Sequence, residues 1–424
     1  MSKTPSPQED FCAIDFGTSN SSLAVCIDNY PTLIALEGGA QNLPTALFYP
    51  AEPGEEVKIG RAAIAAYMAF DEGRLLRSIK SVLGSSLMGS TTELGPGLMM
   101  SYTEIIADFL SRIKFRAERA TGKSLAHALI GRPAFFVDDD PAKDQEAQDS
   151  LEEAALLAGF KSVAFEYEPV AAALAFASDS DERPVTEQIA LVADIGGGTS
   201  DFSVIHINHE GSRILANHGV HVAGTDFDRR VSLTSIMPLF GLGASNPNGR
   251  AVPGSIYREL ATWHMVNALY SQKSKSALFT HRDMYGSKLY FARLSKVLEG
   301  RLGHQLLAQA ELAKIHASEQ GQFQMRLDDV EKGLIKDITN TEVGDAIITE
   351  LQAIAKAAQF TISQAGLKPE QITSLFFTGG STGLSALRAC IAQVVPNARS
   401  VEGERFESVA FGLGIAAVEK WAVH

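Results

Sequence analysis

The chain has 424 residues, 45% of them hydrophobic and 21% charged, which is ordinary for a globular protein and too long for one small core, so two or more domains are expected. A formal net charge of −13 argues against a nucleic-acid partner, which needs an extended basic surface, but leaves room for a nucleotide held at a local site. Three cysteines (Cys12, Cys26 and Cys390) cannot build a disulfide framework, residues 1–10 lack the basic start and apolar run of a leader, and no apolar stretch approaches about 18–20 residues. The expectation is a cytoplasmic protein with no membrane partner.

Residues 11–14 and 23–27 read as strands around a Gly-Thr-Ser-Asn-Ser-Ser turn, and apolar runs after Pro31 and Leu43 continue the sheet. The spacing of Ile105, Ile106, Phe109, Leu110 and Ile113 predicts a helix over 102–120, ending before Thr121-Gly122. A strand at 125–130 runs into Gly131-Arg132-Pro133, and a charged helix over about 141–159 closes at Gly159. The charged tract 178–187 reads as a crossing between lobes. After it the opening pattern recurs, with strands 189–193 and 202–207 around a second glycine-rich turn. Residues 229–306 look mostly helical, with a Gly/Asn/Pro-rich loop at 241–254, and Tyr257, Trp263 and Tyr270 there serve either a core or a surface. A third turn, Thr378-Gly379-Gly380-Ser381-Thr382, follows a strand at 375–377, and 407–421 has helical spacing.

The first two turns carry the chemistry. Glycine lets backbone amides approach an oxygen closely, and consecutive amides aimed into one concavity form an anion nest. Thr18, Ser19 and Asn20 add donors beside Gly17, while Asp15 at the strand's end would repel a phosphate unless a cation lay between them. The second turn repeats this logic with Asp194, then Gly196-Gly197-Gly198, Thr199 and Asp201. Either turn alone could simply reverse the chain. Two at equivalent places in two half-repeats suit a phosphate chain held from both sides. Asp15 and Asp194 then call for a hard cation with oxygen ligands, and magnesium fits. Glu168, between a strand and a helix, either orders a water or the hydrated metal, or stabilises a helix start through its dipole. The ten histidines are scattered, His206 and His209 lack further ligands, and no Ser-His-Asp or Cys-His arrangement asks for a protein nucleophile.

Taken in order, these segments resemble the seventy-kilodalton heat-shock (DnaK-type) chaperone family. Residues 13–21 are similar to its first phosphate motif and 192–201 to its second. Glu168-Pro169-Val170-Ala171-Ala172-Ala173-Leu174 is similar to its lobe-connecting segment, 223–228 to its second-lobe turn with Ala223 in place of a glycine, and 377–382 to its adenosine motif. In extent the chain looks like the YegD-like type, a nucleotide-binding domain alone. The resemblance implies an α/β, actin-like ATPase fold: two lobes, each a mixed sheet with flanking helices, and nucleotide in the cleft. Lobe I would span 1–184 (outer subdomain about 40–101), completed by a C-terminal helix at 402–424. Lobe II would span 185–401, with an outer subdomain at about 227–325. ATP or ADP with Mg²⁺ is the implied cofactor, the metal held through water by Asp15 and Asp194. Gly17, Thr18, Ser19, Asn20, Gly197, Gly198 and Thr199 would hold phosphate. Lys80 would contact the γ-phosphate and attacking water, with Glu168, Thr199 and Asp201 completing the catalytic set. Gly224, Glu311, Lys314, Ile315, Ser318, Gly379, Gly380, Ser381 and Gly383 would hold the adenosine.

Departures from the family pattern sharpen the expectations. Ile315 and Gly383 stand where the family has arginines, and each lost guanidinium stack costs about 0.5–2 kcal/mol. The outer subdomain between Asp228 and Glu311 is longer than usual and is a candidate docking surface for an unidentified protein partner. With the sequence ending at Trp421-Ala422-Val423-His424, the expectation is a chain without the family's peptide-binding domain and without coupling to peptide capture in cis. The reading is a slowly hydrolysing, chaperone-like nucleotide switch. The alternative is a non-catalytic ATP-binding scaffold, and a sugar kinase or filament protein ranks below both.

Overall fold

The computed structural model describes residues 10–52, 54–69, 71–137, 140–178, 187–208, 211–246, 248–263, 265–280, 282–285, 287–401 and 408–421. The chain divides into two compact units: Met1–Val220 with Ala357–Gly380 and Ala392–His424, and His221–Lys356 with Ser381–Ile391.

The first unit is built on two mixed sheets. One has the order Ser162–Tyr167, Leu125–Arg132, Asp10–Phe16, Asn20–Ile27, Tyr30–Leu33, with Asn42–Pro44 also pairing with Asn20–Ile27. The other has the order Gly211–Val220, Ser200–Asn208, Gln188–Ile195, Ser374–Thr378, Arg399–Val401. Each is organised on the same plan, an antiparallel hairpin whose first strand has a parallel neighbour on its other side. Asp15 lies opposite Ser22 in the first hairpin and Asp194 opposite Asp201 in the second. Ala13 pairs in parallel with Leu129, and Ala193 with Phe377.

Alternation along these strands sorts the core into two layers. Cys12, Ile14 and Phe16 join Ile105, Phe109 and Leu110 of helix Tyr102–Thr121 on one face. Ala13, Ala24 and Leu129 join Ala171, Ala172, Val409 and Leu413 on the other. Burial on both faces explains why Leu125–Arg132 reads as a nearly continuous apolar run. Helix Tyr102–Thr121 starts at a reciprocal capping box of Ser101 and Glu104 and stops at Gly122, whose φ of 71° suits glycine. Helix Pro141–Leu157 starts with Asp140 accepting from the Lys143 amide and a proline in its first turn.

The second unit is mainly helical, with a hairpin of Gln322–Arg326 and Ile335–Thr339. The loop at 241–254 contains a Ser245–Ala251 bridge, and the Asn246 side chain there accepts from the Asn248 and Arg250 amides. Tyr257 is core, its hydroxyl donating to the Phe240 carbonyl at 3.0 Å. The Tyr270 hydroxyl accepts from the Gly303 amide at 2.9 Å.

One sequence expectation changes here. Beyond Asn42–Pro44 the run after Leu43 leaves the first sheet, and Ala46–Pro50 forms a separate sheet with Lys58–Ile59 and Gly73–Arg77. Thr45 sits at the parting and bonds back to the first hairpin turn. The expected lobe boundary at 184/185 and most of the tract 178–187 lie outside the described residues. Among the described residues no helix is long and apolar enough to cross a membrane.

Helix Ser408–Trp421 packs on helix Glu168–Ser178 so closely that a Cβ at Gly412 would collide with the Ala171 carbonyl. Gly412→Ala is therefore expected to destabilise by about 1–3 kcal/mol through overpacking, despite alanine's better helix propensity. Thermal denaturation checks the sign, and a melting temperature at or above the parent's would refute the close packing.

Candidate functional site

The two glycine turns meet within the first unit. In the first, a Cβ on Gly17 would collide with the Asn20 carbonyl, so only glycine closes the turn in this form. Thr45 braces it from outside: its hydroxyl donates to the Gly17 carbonyl at 2.7 Å and its amide to the Ser19 carbonyl at 2.9 Å. In the second, the Gly196 amide donates to the Thr199 carbonyl at 3.0 Å. A Cβ on Gly197 would fall on Ser19 Oγ, so the turns touch through a serine hydroxyl and a bare backbone. Gly379 of the third turn, at φ +85°, comes against the second: its Cβ would lie 2.6 Å from Asp194 Oδ1.

Beneath the turns lies a group of charges. Lys80 is carried on the short helical turn Ile79–Val82, entered through Ser78 at φ 55°. A non-glycine residue in this left-handed region costs about 1–3 kcal/mol, so the surrounding structure holds it there. Lys80 Nζ lies 2.7 Å from Glu168 Oε1, and each side chain is only 10% exposed. Glu168 opens helix Glu168–Ser178, and Gly131 on the neighbouring strand leaves room for it, since a Cβ there would lie 3.0 Å from Glu168 Cγ. Gly219 does the same for Asp201, whose carboxylate occupies the space of the missing side chain.

Burial and crowding set the protonation. Desolvation, then the Glu168 charge, push Asp15 up to about 7, with Lys80 partly offsetting them. Desolvation, then Glu168, Asp201 and Asp15, hold Asp194 well above the usual carboxylate range. For Lys80, burial disfavours the charge, but Glu168, Asp15 and Asp194 outweigh it and raise the ammonium's pKa. One ammonium thus faces Asp15, Glu168 and Asp194, with Asp201 acting on Asp194. Buried charge left uncompensated costs several kcal/mol per ion, so this oxygen-rich set suits a hard divalent cation. Among the described residues no three His, Cys, Asp or Glu side chains gather closely enough to hold a metal directly. Beside the group is a cavity of ≈ 20 Å³ bordered by Pro133, Glu168, Asp194, Asp201 and Asn217. That is room for about one water among polar groups.

The remaining predicted residues are distributed as follows. Gly224, Glu311, Lys314, Ile315, Ser318, Ser381 and Gly383 belong to the second unit, Gly379 and Gly380 to the first. On helix Gly303–Gln320, Glu311, Lys314, Ile315 and Ser318 share one face by their spacing. Lys314 is buried and pairs with Asp228, Nζ to Oδ1 2.7 Å, with the Gly224 carbonyl 3.4 Å away. Ala223, which replaces a family glycine, has φ −160°, an extended conformation open to any residue. His206 pairs with Glu187, and His209 lies outside the described residues.

Sequence reading missed Thr45, Gly219 and Asn217. Thr45 is separated from Gly17 by 28 positions, and only strand pairing brings Gly219 beneath Asp201. No local pattern marks either.

Comparison with known proteins agrees with this geometry. The sequence model of the family described as Hsp70 protein matches residues 90–236. A chaperone protein HscA homolog of Methylobacillus flagellatus is 32% identical over 267 residues, 59% of this chain and 40% of its own length. Chaperone protein DnaK of Thermosipho melanesiensis is 26% identical over 416 residues, 97% of this chain and 59% of its own. DnaK of Thermosipho africanus is 27% identical, again over 97% of this chain and 59% of its own length. These matches show that the chain is similar to the Hsp70 family, and its two sheets of one plan fit the actin-like ATPase fold of that family. The chain spans about six-tenths or less of the length of these relatives.

The protonation of Asp15 gives a pH test. Its carboxyl is raised in the folded protein, so the unfolded chain ionises first, and stability falls as pH rises from about 4 to about 7. Asp15→Asn removes this contribution. The metal-free variant is expected to be about 1–3 kcal/mol more stable than the parent above neutrality, with little difference near pH 4. Denaturant melts at the two pH values measure it, and equal stability of the two proteins above neutrality would contradict the buried repulsion.

Proposed function

We propose that the chain binds ATP or ADP with Mg²⁺ and hydrolyses ATP slowly, acting as a chaperone-like nucleotide switch. The observation that supports this best is the meeting of two glycine turns directly beside the buried Lys80–Glu168 pair and two Asp carboxylates. In this reading the amides and hydroxyls of Gly17, Thr18, Ser19, Asn20, Gly197, Gly198 and Thr199 hold phosphate oxygens. Asp15 and Asp194 hold the hydrated cation, which neutralises charge on the phosphates. Lys80 contributes its positive charge at the terminal phosphate. Glu168 fixes the Lys80 ammonium and, with Asp201, orients the attacking water. No covalent intermediate is required, since positioning and charge neutralisation supply most of the acceleration. Adenosine roles for Gly224, Glu311, Lys314, Ile315, Ser318, Gly379, Gly380, Ser381 and Gly383 rest on the family resemblance. Asp228 positions Lys314 among them.

Phosphate release by purified protein with Mg²⁺ and ATP is the direct test. Lys80→Ala is expected to lower turnover about 10²–10³-fold, the usual range for removing one charge-stabilising group. Nucleotide affinity by calorimetry should change far less. Turnover at background in the parent, together with tight binding, favours a second reading, a non-catalytic ATP-binding scaffold. That reading draws on the outer segment 229–306, which presents Phe279, Met284 and Leu289 with 43–49% exposure and would dock a protein partner. Absence of nucleotide binding in the parent would defeat both.

Ile315 bears on adenine selectivity. It is 38% exposed on helix Gly303–Gln320, where the family has an arginine. Ile315→Arg is expected to tighten ATP binding about 2–30-fold, the equivalent of about 0.5–2 kcal/mol for a restored cation–π stack. Competition by GTP should weaken in the variant, and an unchanged ATP affinity would remove Ile315 from the base site.

A further inference from the structure

The outer segment of the second unit is opposite in sign to the chain as a whole. Residues 250–301 hold nine Lys and Arg against three Asp and Glu, in a chain of net charge −13. Two neighbouring helices, Gln272–Thr280 and Lys288–Glu299, present much of this charge. On the second helix Lys288, Leu289, Ala292 and Lys296 are exposed along one face, while Leu294, Val297 and Leu298 turn inward. On the first, Lys273 is exposed, and Phe279 packs edge-on against Phe291, ring centroids 5.5 Å apart, leaving the Phe279 ring 46% exposed. Lys273, Lys288 and Lys296 make no ion pair among the described residues. The segment is predominantly basic, with Asp283 and Glu299 as its exposed acids near the two helices, and an excess of one sign around large exposed apolar side chains suits a contact surface.

The first unit carries the counterpart. Helix Pro141–Leu157 has five acidic residues and one lysine. It buries Ala147, Leu151, Ala154 and Ala155 and exposes Glu146, Asp149 and Glu153, spaced i, i+3 and i+7. The same stripe continues into Leu156 and Leu157, which are 44% and 60% exposed.

We propose that this chain associates with a second copy of itself, the acidic, leucine-ended stripe of Pro141–Leu157 in one copy docking on the basic, apolar face of Gln272–Thr280 and Lys288–Glu299 in the next. Each surface supplies what the other lacks: carboxylates for unpaired lysines, and leucines for a half-exposed phenylalanine and leucine. The like net charge of two copies is screened beyond about 8 Å at physiological ionic strength, while the local pairs act at contact. Two different faces meet, so the association is head-to-tail and gives rings or open chains, not a two-fold dimer. The proposal rests on reading the outer segment as a docking surface and is independent of ATP turnover.

Sedimentation velocity of the full chain over a wide concentration range tests it. The weight-average mass should climb above 45.4 kDa as concentration rises. The triple variants K273E/K288E/K296E and E146K/D149K/E153K should each stay monomeric, and their equimolar mixture should associate again. A parent that is monomeric throughout, variants that associate like the parent, or a mixture of folded variants that stays monomeric would each overturn the proposal. If charge reversal disrupts the circular dichroism spectrum, Phe279→Ser and Leu157→Ser probe the same contact from its apolar side. Each should then weaken association at least tenfold, and undiminished association would again overturn it. Phosphate release measured on the same samples separates the outcomes, since loss of turnover with association intact counts against the ATPase reading alone.

Discussion

One ammonium set among the carboxylates of Glu168, Asp15 and Asp194 is the constraint on which the site depends. The Lys80–Glu168 pair holds together in isolation, at 2.7 Å and with little solvent access. Asp15 and Asp194 are then left as excess negative charge, and both are pushed toward the neutral form. Packing alone gives no reason for such an arrangement, because an apolar substitute of the same volume would be as stable or more so. It becomes reasonable where a cation and a polyanion are to be bound together. The strained entry at Ser78 and the bare backbones of Gly131 and Gly219 make room for these charges.

Repetition explains how a protein reaches this state. The same hairpin on the same parallel neighbour occurs in two sheets, and each hairpin ends in an aspartate followed by a glycine turn. Strand alternation fixes which side chains enter the core, while residues 17–19 and 196–199 lie between the paired strand positions. The small residues of the second core layer, Ala13, Ala24, Ala171 and Gly412, let helices approach the sheet and each other closely. The helices and sheet under the turns are therefore closely packed.

Much of the first unit was legible before the structure. Runs of apolar residues bounded by glycine turns gave the paired strands, because burial on both faces demands such runs. The helix at Tyr102–Thr121 was legible from its spacing and its terminal glycine. Ala46–Pro50 was misplaced for a physical reason: an apolar run states that a strand is buried but not which neighbour it pairs with. In the second unit Tyr257 could not be assigned to core or surface, since an aromatic residue suits both.

The sequence by itself determined the two aspartate-glycine turns, their equivalence and the residue types that suit a phosphate chain, because local backbone freedom and strand periodicity are written within a few residues of each position. The tertiary structure decided the rest: that Ser19 rests on Gly197, that Thr45 braces the first turn, that Gly219 makes room for Asp201 and that Lys80 is paired with Glu168. Those relations join residues from 18 to 178 positions apart. They follow from sheet order and helix packing, which sum weak preferences over the whole chain and leave no signature at any single residue.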